Sequence, residues 1–177
     1  GMYSRVAIVP EAKLGIVVLT NSMKGISTWM MYHILDQYLN IEGNDWNKYG
    51  LERQEASAKS WTKRIQERKD KRLKRTSPSL SLNDYTGFYR CKMFGDIQIK
   101  MDNGNLKMHF VTAPKLNASL SHWHLNTFEI NWDETHAWFD FGTIQFVLDN
   151  NAEITRLQFD VPNDDIFFEE INAFKIE

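Results

Sequence analysis

Leu120-Ser121-His122-Trp123-His124-Leu125-Asn126-Thr127-Phe128 is the stretch that decides the fold. It carries the end of one expected strand, 116–123, into the start of the next, 127–132, across three residues. Connections this short join antiparallel neighbours, because a parallel pair needs a long crossover. The same pattern extends outward. Strands are expected at 86–91, 96–101, 106–110, 137–141, 143–148, 154–159 and 166–171. Turn chemistry separates most of them: Asp102-Asn103-Gly104-Asn105, Ala113-Pro114, Asp149-Asn150-Asn151 and Pro162-Asn163-Asp164. Short strands at such spacing, with no helix between them, imply a closed antiparallel barrel or a sandwich of about eight strands.

The first 80 residues read differently. Residues 3–9 and the β-branched run Leu14–Thr20 form an expected hairpin, broken by Pro10-Glu11-Ala12-Lys13. A helix follows from Ile26, with Trp29, Met30, Met31, Tyr32, Ile34, Leu35, Tyr38 and Leu39 spread around most of its circumference. Such a helix needs partners on more than one side. Between Leu51 and Thr76, ten Lys or Arg oppose four Asp or Glu, a surplus of six positive charges. With no Pro or Gly from Leu51 to Ser77, this reads as a solvated, basic connecting helix. Thr76-Ser77-Pro78-Ser79 ends it. The chain is therefore expected to be mainly β, α+β overall, in three parts: 1–45, a basic linker 46–80, and the barrel 81–177.

Composition narrows the function classes. Apolar residues make up 42% and aromatics 13%, six of them Trp, enough for a packed core with bulky side chains. The formal charge of −2 gives no basis for a nucleic-acid partner, and the basic stretch lacks the interleaved aromatics of a strand-binding groove. No segment is long and apolar enough to span a bilayer. The single cysteine, Cys91, excludes an internal disulfide and reads as a strand residue. Gly1-Met2 reads as a tag-cleavage remnant.

Several strings together carry a family resemblance. Ser81-Leu82-Asn83-Asp84-Tyr85-Thr86-Gly87-Phe88-Tyr89 supplies a Leu followed by Tyr-x-Gly-x-Tyr. Gly95-Asp-Ile-Gln-Ile with Gly104-Asn-Leu-Lys-Met, the string His122-Trp123-His124-x-x-Thr127-Phe128, and 144–149 with 154–157 complete the set. They resemble DUF3471, a small lipocalin-like barrel domain found at the C-terminus of serine hydrolases of the β-lactamase and penicillin-binding-protein class. The turn after Asp149 lacks the family's Gly and has Asn150-Asn151-Ala152 instead. Residues 4–10 and 18–21 resemble the final strands of such a hydrolase, and the helix from Ile26 its last helix. The resemblance implies a non-catalytic accessory domain with no cofactor, attached to a periplasmic or secreted parent hydrolase. It also implies a partner surface along Leu14–Thr20 and the helix from Ile26, open to the parent domain or to a second copy of the chain.

Two local patterns imitate a catalytic site. Ser60-Trp61-Thr62-Lys63 fits Ser-x-x-Lys, and Tyr38-Leu39-Asn40 fits Tyr-x-Asn. Serine acylation needs a lysine desolvated enough to act as base. Lys63 instead sits beside Arg64 on a solvated helix, and the two patterns come in reversed order. The paired carboxylates Asp133-Glu134 and Asp164-Asp165 read as turn formers. His122 and His124 share a strand face and can meet a metal only with further ligands such as His109 or His136; the other reading is ring hydrogen bonding at a barrel rim. If the barrel is a lipocalin-like module for a small ligand, His122, Trp123, His124 and Trp132 are its pocket candidates. A purely structural or interaction role is the third reading.

Overall fold

The computed structural model of the chain describes residues 2–136 and 138–176. It divides into two compact units, Gly1–Glu67 and Arg68–Glu177.

In the first unit, β1 (Tyr3–Val9) and β2 (Leu14–Thr20) pair antiparallel, with Val6 opposite Val17. Alternation along β2 sends Ile16 and Val18 to one face, where they meet Met31 of α1 (Ile26–Leu39). The opposite face carries Val6, Ile8, Val17 and Leu19, all exposed. Asn40, left-handed at φ 53°, ends α1. Asp36 then accepts hydrogen bonds from Asn44 Nδ2 (2.8 Å) and Trp46 Nε1 (2.6 Å), which fixes the start of α2 (Trp46–Asp70). Trp29, Tyr32, Trp46 and Tyr49 form an aromatic cluster where the two helices meet.

The second unit is a closed antiparallel barrel of eight strands. These are β3 (Gly87–Cys91), β4 (Gly95–Asp102), β5 (Asn105–Phe110), β6 (Asn117–His124), β7 (Thr127–Trp132), β8 (Thr143–Leu148), β9 (Ile154–Asp160) and β10 (Ala173–Ile176). Closure comes from β10, which pairs with both β3 and β9. Inward positions alternate along β3, β4, β5 and β8, and register shifts interrupt the alternation in β6 and β9. Ile97, Ile99, Leu106, Met108, Ile144 and Phe146 are wholly buried, with Tyr85 and Tyr89 beside them. An eight-stranded barrel is just wide enough for side chains to fill, and here large side chains fill it. Cys91 belongs to this core. Burial pushes the Tyr89 hydroxyl pKa up, and the hydroxyl donates to the Tyr85 carbonyl at 2.9 Å.

Three expected elements differ from those observed. Residues 138–141 form no strand, and Ala137 lies outside the described residues. Phe139 turns into the core while Phe141 packs on Trp123, and Asp140 Oδ1 accepts the Phe141 N–H at 2.6 Å. The last strand lies at Ala173–Ile176, not at 166–171. Asn163 takes over the backbone groups of that loop, accepting from Asp165 N–H and Ile166 N–H and donating to the Val161 and Ile166 carbonyls. Phe168 then enters the core from a short 3-10 turn, Phe168–Glu170. The basic helix stops at Asp70, well before Thr76, because the residues that follow bond to the barrel.

Candidate functional site

The string His122-Trp123-His124-Leu125-Asn126 is a clamp for the chain that leads into the barrel. The Arg72 guanidinium donates to the Trp123 carbonyl (2.8 Å) and the His122 carbonyl (3.0 Å), and it lies 4.7 Å from the Trp123 ring centroid. Leu73 N–H donates to His124 Nδ1 at 3.3 Å. A neutral His124 therefore carries its proton on Nε2. Burial first, then His122 and Arg72, lower the His124 pKa and favour that neutral ring. Leu125 N–H donates to Thr76 Oγ1 (3.1 Å), and His122 Nε2–H donates to the Leu125 carbonyl (3.0 Å). These two bonds hold Leu125 at φ 47°, a conformation costly for a side chain with a Cβ. Asn126 Oδ1 accepts from Ser79 N–H (3.0 Å), the Ser79 hydroxyl (2.5 Å) and the buried Tyr85 hydroxyl (2.6 Å).

Beside the clamp, on the outer face of β8 and β9, lies a cleft of about 260 Å³. Trp123 and Phe141, their rings edge-to-face at 5.6 Å, form its apolar part. Gln145 and Gln158 line it from positions that alternate with the buried Ile144, Phe146, Leu157 and Phe159. Arg68 and Lys71 line its basic side, and His124 also borders it. The cations beside this cleft have different occupations. Arg68 is paired with Asp160 at 3.3 Å, Lys69 Nζ sits 5.2 Å from the Phe141 centroid, and Arg72 is in the clamp.

The four candidate pocket residues are not brought together inside the barrel. A register shift between His122 and His124 breaks the strand alternation. His122 packs on Phe128 at 5.8 Å, while Trp123 and His124 face the outer cleft. Trp132 lies at the far end of β7, against His136 and Phe139. Among the described residues, no group of three His, Cys, Asp or Glu side chains is placed to hold a metal. His109 Nδ1 bonds to Asn117 instead. Ser60 and Lys63 stand on an exposed surface of α2, where Lys63 reaches Glu67 at 3.9 Å. Tyr38 is 68% exposed and Asn40 is the helix cap. Asp133 pairs with Lys107 at 3.0 Å. No helix among the described residues is long and apolar enough to cross a membrane.

Lys71, Phe141, Gln145 and Gln158 were not legible as neighbours. Alternation places the two glutamines outside, but only the strand register sets them side by side: Gln145 opposite Gln158. Asn126 and Arg72 had no signal of their own, since their partners are 41–51 residues away.

The geometry defines a class: a closed, side-chain-filled antiparallel barrel with its leading segment pinned to one hairpin. Residues 71–175 match the domain of unknown function DUF3471, and the chain belongs to that family. No curated protein matches the chain. Among solved structures, it is similar to the crystal structure of the C-terminal domain of a penicillin binding protein. Identity is 20% and the TM-score 0.45, over 60% of this chain and 94% of the other.

Proposed function

We propose that this chain is a non-catalytic accessory module of a serine hydrolase of the β-lactamase and penicillin-binding-protein class, working in the periplasm or outside the cell. Its task is to shape the parent active site or to hold the parent assembly together. One observation carries the reading. Upstream of the DUF3471 barrel stands a two-stranded sheet with a helix on one face only, and its sequence resembles the final strands and helix of such a hydrolase. A lone hairpin is marginal in water, so a sheet with one apolar face open fits a larger parent domain. Ser60 and Lys63 stand exposed on α2, where a lysine is not desolvated to act as a base, so this Ser-x-x-Lys pattern is not read as a nucleophile motif.

The test is hydrolysis of nitrocefin and of a D-amino-acid peptide by the full-length parent, with and without residues 81–177. The parent turns over one of these substrates, and removal of the barrel changes kcat/KM or subunit assembly. Residues 1–177 alone turn over neither. Activity of residues 1–177 that disappears in Ser60→Ala overturns the proposal.

A further inference from the structure

We propose that the outer cleft beside the clamp binds a small organic carboxylate whose body carries amide or hydroxyl groups. This goes beyond the accessory role and does not depend on it. Four cations occur between residues 68 and 72, and three are already engaged: Arg68 with Asp160, Lys69 with the Phe141 ring, Arg72 with Trp123 and the His122 and Trp123 carbonyls. Lys71 borders the cleft with no ion-pair partner among the described residues. An ammonium is a compact point charge with three donors, and a carboxylate answers it.

The rest of the lining selects the ligand body. His124 gives up its Nδ1 lone pair to Leu73 N–H, so the neutral ring retains an N–H at Nε2 as a donor. The side-chain amides of Gln145 and Gln158 have no hydrogen-bond partner among the described residues, and each offers a donor and an acceptor to an amide or hydroxyl. Trp123 and Phe141 supply an apolar surface for the carbon skeleton. The one carboxylate at the cleft, Asp160, is held by Arg68, so it does not oppose an anion at full strength. A volume of 260 Å³ lies below the usual range of about 300–1,000 Å³ for drug-sized ligands, so the occupant is small.

The experiment is an NMR titration of residues 1–177, read at the side-chain amides of Gln145 and Gln158 and the indole N–H of Trp123. The probes are N-acetylglycylglycine, its C-terminal carboxamide, and glucuronate. At least one acid probe gives saturable shifts at these groups, with a dissociation constant on the order of 1 mM. The carboxamide binds about tenfold or more weaker, and Lys71→Gln weakens the acid probe by a similar factor, the value of one charge-assisted contact. Tighter binding of the acetylated dipeptide assigns an amide body, and tighter binding of glucuronate a hydroxyl body. Lys71 is exposed, so its variant keeps the native spectrum elsewhere. No saturable shift with either acid, equal binding of acid and carboxamide, or unchanged affinity in Lys71→Gln overturns the proposal.

Discussion

Asn126 is the residue on which most of the clamp converges. Its Oδ1 is the acceptor for the Tyr85 hydroxyl, and Tyr85 is wholly buried at the mouth of the core. Asn126→Ala strands that hydroxyl and frees Ser79. The expected cost is about 1–3 kcal/mol, the penalty for an unsatisfied buried donor, read as a lower urea midpoint for the barrel amide signals. Tyr85→Phe in the Asn126→Ala background recovers part of the loss, because the stranded group is then gone. His124 gives the clamp a pH dependence with a definite sign. Its folded pKa lies below the ordinary value of about 6.5. Above that value both folded and unfolded chains hold a neutral ring, and the Leu73 bond is intact. As pH falls below it, the unfolded chain takes up the proton first, so stability decreases until the folded pKa is passed. Barrel stability therefore falls as the pH drops through the ordinary histidine value of about 6.5 toward the lowered folded value. His124→Asn, which keeps an acceptor but does not titrate, flattens that slope; an unchanged slope removes His124 as its source.

Strand elements were legible wherever one face is buried, and illegible where a loop residue captures the backbone. In β3, β4, β5 and β8 the inward positions alternate as the sequence implies; extra residues interrupt the alternation in β6 and β9, and Trp138–Phe141 replaces an expected strand. The stretch around Ile166 has the same apolar weight as a strand, yet Asn163 satisfies the backbone groups that a ladder requires. Helix propensity likewise carries the basic segment to Thr76 in the sequence, while Arg72 and Leu73 find better partners at the end of β6. The turn after β8 shows how a missing glycine is absorbed. Asp149 Oδ1 accepts from Asn151 N–H (2.8 Å) and Glu153 N–H (3.0 Å), and Ala152 is forced to φ 63°. The left-handed conformation costs an alanine about 1–2 kcal/mol, against the roughly 0.5–1 kcal/mol that glycine loses in chain entropy. Ala152→Gly should therefore stabilise the barrel by up to about 1 kcal/mol in thermal unfolding. Gly50 predicts the reverse. In an open helix Gly→Ala gains about 1 kcal/mol, but a Cβ at Gly50 would stand 2.6 Å from Trp29 Cδ1. Trp29 is wedged against Trp46 and Tyr49, so overpacking of about 1–3 kcal/mol outweighs the gain. Gly50→Ala should lower the melting temperature of the first unit and weaken its near-ultraviolet aromatic dichroism.

At the scale of the whole molecule, the open face of the first sheet demands a partner. Val6, Ile8, Val17 and Leu19 are 63%, 74%, 63% and 76% exposed on the side of the hairpin away from α1. Both strands are also edges, with backbone groups free to pair on their outer sides. In the proposed parent the hydrolase domain covers this face. For residues 1–177 in isolation, a second copy of the same face is the complementary surface at hand, and a two-fold arrangement brings like to like. The magnitudes favour it. Eight such side chains, at about 1.5–3 kcal/mol for full burial of each, exceed the roughly 4–15 kcal/mol cost of association over most of its range. Sedimentation velocity at micromolar concentration should then give a particle of twice the 20.8 kDa chain mass. The double substitution Val17→Lys and Leu19→Lys puts like charges across that contact and should return the chain to a monomer, with the barrel amide spectrum unchanged. A wild-type chain that stays monomeric at these concentrations would show that this face does not pair with itself. It would leave the parent hydrolase domain as its expected cover.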